Sequence, residues 1–81
     1  MTPDEIKRLL AGTFPDAHID VDTDGYHFNL LVVSDSFAGL TPVKKQQLVY
    51  AAIGDRIADG SMHAVNMKLY TRAQWQTAQN A

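Results

Sequence analysis

Three histidines, His18, His27 and His63, are the side chains of this chain best suited to ligation or proton chemistry near neutral pH. The chain has no cysteine, hence no thiolate nucleophile, no disulfide and no cysteine-based zinc site, and soft-metal chemistry must take its sulfur from a partner. Imidazole nitrogen remains available as a metal ligand. A second group is the run Lys44-Lys45-Gln46-Gln47. Lysine contacts phosphate or guanine and glutamine reads adenine, so this quartet at the front of a helix suits an anionic partner or DNA. Lysines in a first helical turn oppose the positive end of the helix dipole, at a cost of about 0.3–1 kcal/mol each. The pair therefore reads either as a site for an outside anion or as two solvated lysines. Ser34, Asp35 and Ser36 form a third group. No pattern places a histidine base beside either serine, so these residues read as turn and capping residues. There is no G-x-S-x-G elbow, H-E-x-x-H zinc motif or Walker loop, which removes the motif-bearing enzyme classes.

The elements that must position these residues follow from local pattern. Thr2, Pro3, Asp4 and Glu5 form a capping box with proline at the first helical position, and Ile6, Leu9 and Leu10 follow on one face. This first helix should end near Gly12, before Pro15 and Asp16. His18 to Thr23 alternates polar and apolar, and Asp24-Gly25 is a hairpin signal ahead of the apolar strand Tyr26 to Val33. A two-residue loop would set Thr23 opposite Tyr26, Asp22 opposite His27, Val21 opposite Phe28 and Ile19 opposite Leu30. Ser34 to Leu40 then leads to Thr41 as N-cap and Pro42 at the first position of the central helix. Val43, Gln47, Tyr50, Ile53 and Ile57 recur at helical spacing, flanked by Leu48, Val49, Ala51 and Ala52, so a wide apolar stripe is expected; the helix runs to about Ala58, with Gly54 as a weak point and Asp59-Gly60-Ser61 as its stop. Met62 to Tyr70 alternates as a half-buried strand, and Thr71 with Gln74 caps a last helix whose Trp75 folds back onto the body.

The order is helix, strand, strand, helix, strand, helix. A strand joined to another of the same sheet through a helical crossover is nearly always parallel to it, so the third strand should lie parallel to the second. His27 and His63 each open one of these strands, which brings both to the sheet end beside Asp24-Gly25.

At 81 residues the chain reads as a single domain, 1–81, with a modest core. It has no apolar run near membrane-spanning length and no basic-then-apolar leader, so a cytoplasmic location is expected. The net charge of −2 is unevenly spread. Residues 1–40 set Lys7 and Arg8 against seven acidic residues, whereas 41–81 set Lys44, Lys45, Arg56, Lys68 and Arg72 against Asp55 and Asp59. A basic face on an acidic protein favours an acidic partner surface over bulk nucleic-acid affinity.

The blocks FAGLTPVKKQQLVY (Phe37 to Tyr50), HAVNMKLYT (from His63) and the following AQW resemble the signature blocks of the BolA family, most of all its IbaG-like bacterial branch. The resemblance covers nearly the whole chain. It implies an α/β (α+β) domain of class II KH-like fold, in the element order above, with helices packed on a three-stranded mixed sheet. It also implies a non-enzymatic protein that pairs with a monothiol glutaredoxin and shares with it a glutathione-ligated 2Fe-2S cluster, the isolated chain being a monomer or weak homodimer without cofactor. The family's C-terminal-side histidine ligand maps onto His63. Its second ligand, in the loop between the first two strands, has no counterpart in Thr23-Asp24-Gly25, and His27, just before the strand phenylalanine, is the nearest candidate. Phe37, Gly39, Lys44 and Lys45 fall in the block expected to dock the partner. Imidazole ligation of 2Fe-2S iron has precedent in Rieske centres, with partner thiolates completing the shell. Because neutral imidazole is the ligating form, binding should weaken in acid.

Two other functions stay open. Some KH-like folds bind nucleic acid, and a helix-turn-helix-like use of Lys44, Lys45, Gln46 and Gln47 would make the chain a DNA-binding regulator. The usual KH clamp needs a GXXG loop, and no two of the five glycines fall three apart. The loop Ser34 to Leu40, the lysine pair and His63 also make a metal-free docking surface conceivable.

Overall fold

The computed structural model describes residues 2–58 and 64–80, with side chains for 2–54 and 65–80. The elements run α1 (Pro3–Thr13), β1 (His18–Thr23), β2 (His27–Val33), a 3-10 turn (Asp35–Phe37), α2 (Pro42–Ala58), β3 (Ala64–Tyr70) and α3 (Arg72–Asn80). The expected stop at Asp59-Gly60-Ser61, the strand start at Met62 and His63 lie outside the described residues.

α1 begins as expected: Thr2 Oγ1 accepts from the Glu5 N–H at 3.2 Å, and Glu5 Oε1 accepts from the Thr2 N–H at 3.3 Å. Ile6 and Leu10, one turn apart, are fully buried, whereas Leu9, expected beside them, is exposed. A two-residue stripe is all that α1 presents to the sheet.

The hairpin differs from the expected register. Thr23 pairs with Phe28, Asp22 with Asn29, Val21 with Leu30 and Ile19 with Val32, so residues 24–27 form the turn. The cause is local. The Asp24 carboxylate accepts from the N–H groups of Tyr26 and His27 at 2.9 and 2.7 Å, and Thr23 Oγ1 donates to the His27 carbonyl at 2.7 Å. These bonds close a longer turn than the two-residue loop. Slipping by two residues leaves every side chain on its original face, so the apolar rows survive with new partners.

β2 is central: the sheet order is β1-β2-β3, with β1 antiparallel and β3 parallel to β2. This is the mixed sheet that the crossover rule predicts. One sheet face carries Ile19, Phe28, Leu30 and Val32, which join Ile6, Leu10, Phe14, Phe37, Val49 and Ile53 in the core.

α2 runs unbroken past Gly54, and its buried side is only part of the expected wide stripe, with Lys45 added to it. Lys45, Val49 and Ile53 are buried and Ala52 is half-buried, while Val43, Gln47 and Tyr50 face solvent. Apolar residues occur nearly all round this helix, so its phase was ambiguous, and the long aliphatic stem of Lys45 occupies a core position that charge had assigned to water. α3 starts from the reciprocal cap expected at Thr71: the Gln74 N–H donates to Thr71 Oγ1 and the Thr71 N–H to Gln74 Oε1. Trp75 is half-buried, its ring 5.5 Å from that of Tyr70.

Candidate functional site

The β1–β2 turn holds His27 from three sides. Gly25 supplies the left-handed backbone, at φ 96°, that a side chain would strain. Tyr26 packs edge-on against the imidazole at 4.9 Å, and Asp24 Oδ2 lies 3.2 Å from His27 Nδ1. The His27 N–H first, then the Tyr26 N–H and the imidazole, hold the Asp24 carboxyl at about 2, below its ordinary 3.8. A carboxylate that fixes Nδ1 leaves the Nε2 lone pair outward, the arrangement that orients metal-bound histidines. The side chain is 49 % exposed, so Nε2 is open to a partner.

Parallel pairing sets His27 opposite Ala64, the residue that follows His63 in sequence. His18, in contrast, sits at the other end of β1, opposite Val33, with Nε2 3.0 Å from Asp20 Oδ2. Among the described residues no three His, Asp or Glu side chains converge on one point. A single accessible imidazole nitrogen can supply at most one ligand to a metal group.

The docking candidates lie at the opposite end of the sheet. β2 carries the chain seven residues from His27 to Val33, roughly 20 Å, before the 3-10 turn and α2 begin. The lysine pair therefore does not adjoin the sheet end at His27 and Ala64, which separates the loop and lysines from the histidine end of the expected docking surface. Phe37 is fully buried against Phe14, with centroids 5.3 Å apart, so its ring shapes the loop and does not present itself to a partner. Ser34 is buried as well; its hydroxyl donates to Asp16 Oδ1 and accepts from the Ser36 N–H, the capping role expected of it. Gly39 takes the left-handed conformation, φ 75°, that turns the chain into α2.

Lys44 is exposed, but Lys45 is only 9 % exposed and its Nζ donates to Gln74 Oε1 at 3.2 Å. The quartet Lys44 to Gln47 is therefore not one outward reading face, since its second member bridges α2 to α3. Residues that the sequence assigns to apolar faces but that the structure exposes include Tyr26, 58 % exposed beside His27, and Val43, 61 % exposed on α2. Tyr26 is exposed because it lies in the turn and not, as its sequence suggests, at the start of the strand.

A three-stranded mixed sheet with two helices against its core face and a third helix beside the other face is a small α+β fold with known members. The family model described as BolA-like protein matches residues 11–74, and the chain belongs to the BolA family. Within that family it is 40% identical over 75 residues to the acid stress protein IbaG of Escherichia coli K12, covering 93% of this chain and 89% of the relative. Among solved structures, a Bol-like protein from Babesia bovis superposes with a TM-score of 0.86 at 25% identity, over 100% of this chain and 95% of that one. The BolA domain of SufE1 from Arabidopsis thaliana superposes with a TM-score of 0.79 at 28% identity, over 88% and 92% of the two chains.

Proposed function

We infer that this chain is a non-enzymatic, cytoplasmic BolA-family protein of IbaG type. It pairs with a monothiol glutaredoxin and gives imidazole ligation to a glutathione-ligated 2Fe-2S cluster shared between them, in iron–sulfur trafficking, iron homeostasis or the response to acid and oxidative stress. The observation that carries this reading is the pairing of His27 with Ala64. It sets an imidazole whose Nδ1 is tied to Asp24 at the sheet end where β3 begins, one residue after His63 in sequence. His63 is the principal ligand in this reading and His27 the second candidate. The chain's own part is to hold an imidazole in a fixed tautomer and orientation and to keep it accessible. When bound, the cluster supplies electron-transfer or cluster-donation chemistry, with thiolates from glutaredoxin and glutathione. The 40% identity to a protein named for acid stress supports the physiological setting.

The test is a visible circular-dichroism titration of the chain into cluster-loaded monothiol glutaredoxin with glutathione, under anaerobic conditions. The expected result is a changed cluster spectrum saturating at one-to-one stoichiometry and lost in His63→Ala, with the far-ultraviolet spectrum of the variant unchanged. His27→Ala should alter the spectrum if both histidines bind. A spectrum retained in His63→Ala removes that residue from the ligand set. No spectral change with the parent chain removes the shared cluster and leaves metal-free docking or DNA binding, which a salt series separates because DNA binding falls steeply with salt.

A further inference from the structure

The sheet face away from the core carries a cleft that the reading above does not use. Its volume is about 500 Å³, within the range of small-ligand sites. α3 forms the roof: Trp75, Ala78 and Gln79, spaced i, i+3, i+4, line the cleft on one side of that helix. The floor is set by strand register. Asp20 of β1 pairs with Leu31 of β2, and Leu31 with Lys68 of β3, so one transverse row carries a carboxylate, an aliphatic side chain and an ammonium. The next row is Asp22, Asn29 and Asn66, in which Asn66 Nδ2 donates to Asn29 Oδ1 at 3.1 Å.

The two charged rims do not satisfy one another. They stand on opposite edge strands, two strand spacings or roughly 10 Å apart, with Leu31 between and Trp75 and Tyr70 also lining the cleft. Asp20 is engaged by His18 at 3.0 Å, whereas Asp22 and Lys68 have no ion-pair or hydrogen-bond partner among the described residues. An occupant that matches this surface needs a cation at one end, an anion at the other and an apolar middle. An extended peptide of n residues spans about 3.3–3.6 Å per residue, so three residues with free termini span about 10 Å.

We propose that the cleft between α3 and the outer sheet face binds a short linear peptide of about three residues with both termini free. Its ammonium meets Asp22 and Asp20, its carboxylate meets Lys68, and a central apolar side chain lies between Leu31 and Trp75. The cleft's Asn29–Asn66 row lies two residues along from the His27–Ala64 pair on the same face, but none of its lining residues is a candidate ligand and the proposal does not rest on the cluster reading.

Trp75 is the chain's only tryptophan, so its fluorescence reports on this cleft. The experiment titrates the full chain, at low salt and without metal, with alanyl-leucyl-alanine, its N-acetylated form and its C-terminal amide, and follows Trp75 emission and backbone amide shifts. The free peptide should give a saturable change that includes the amides of Leu31 and Asn66. Each blocked form should bind up to about fivefold more weakly, the scale of one exposed ion pair. Lys68→Met should erase the difference between free and amidated peptide, and the double variant Asp20→Asn with Asp22→Asn should erase that between free and acetylated peptide. These are surface changes, and far-ultraviolet circular dichroism checks that the fold persists. The absence of a saturable change, or equal binding of the free and blocked peptides, overturns the proposal. Tighter binding of the amidated form also overturns it, and points to a cationic segment of a protein as the occupant.

Discussion

Asp24 does more for this surface than any other single side chain of the hairpin. Its carboxylate takes the N–H groups of Tyr26 and His27 and faces the imidazole of His27, so one residue sets both the length of the turn and the pose of the candidate ligand. The carboxyl is held at about 2, against 3.8 ordinarily, first by the His27 N–H. A lowered folded value means that the ionised form stabilises the turn above the unfolded value, and that this contribution is lost as pH falls from about 4 through about 2. Mild acid therefore leaves the turn intact. In Asp24→Ala, amide exchange at Tyr26 and His27 should accelerate while exchange in the core strands does not, and Asp24→Asn, which keeps one acceptor oxygen, should be intermediate. Unchanged exchange at those two amides in Asp24→Ala would contradict this account. The turn was only half legible in the sequence: Asp24-Gly25 announced a hairpin, but nothing in the pattern showed that a carboxylate accepting two amides would outcompete the two-residue loop.

At the scale of elements, α2 shows how a single lysine can hide a helix's phase. The ends of this helix were plain from Thr41 and Pro42, and the Lys44 N–H does donate to Thr41 Oγ1 at 3.3 Å. Its buried side was only partly so: Val49, Ala52 and Ile53 belong to the expected wide stripe, but the buried line begins at Lys45 and leaves out Val43, Gln47 and Tyr50. The buried Lys45 lines a shallow hollow together with Met67 and Leu69, and its ammonium ends on the amide that caps α3. Packing of the stem should then outweigh the charge, since the bond is to a neutral amide and the ammonium lies near two positive helix ends. Urea unfolding should place Lys45→Met within about 1 kcal/mol of the parent chain and Lys45→Ala about 2 kcal/mol below it. If the two variants lose stability equally, the Gln74 bond and not the stem is what couples α2 to α3. The same burial alters any reading of Lys44 to Gln47 as a nucleic-acid face, which keeps Lys44, Gln46 and Gln47 but not Lys45.

For the whole molecule, the crossover decides what can act together. Element order and the right-handed crossover rule were enough to anticipate a mixed sheet with β3 parallel to β2, and this topology sends the chain away from His27 along β2 and brings it back at Ala64. The start of α2 must then lie at the far end, a separation that reading FAGLTPVKKQQLVY as one docking block does not reveal. The charge asymmetry is resolved there too. Arg72 at the start of α3 donates through its guanidinium to the Asp16 carbonyl at 2.9 Å and through its N–H to Asp35 at 3.2 Å, tying the basic second half to the acidic first. Phe37 anchors this end, fully buried against Phe14 in the core cluster that also holds Ile6 and Val49. Phe37→Ala should cost about 3–5 kcal/mol, close to the whole stability of a marginal domain, and should lower the midpoint of thermal unfolding by about 12 °C or more. Amide protection should fall throughout the core, unlike the local loss expected for Asp24→Ala. Phe37→Leu, which refills most of the space, should recover stability, and with it any glutaredoxin binding that the parent chain shows. If Phe37→Leu is stable but fails to bind a glutaredoxin that the parent chain binds, the ring contacts that partner after all, and the proposed docking surface extends to the α2 end of the sheet.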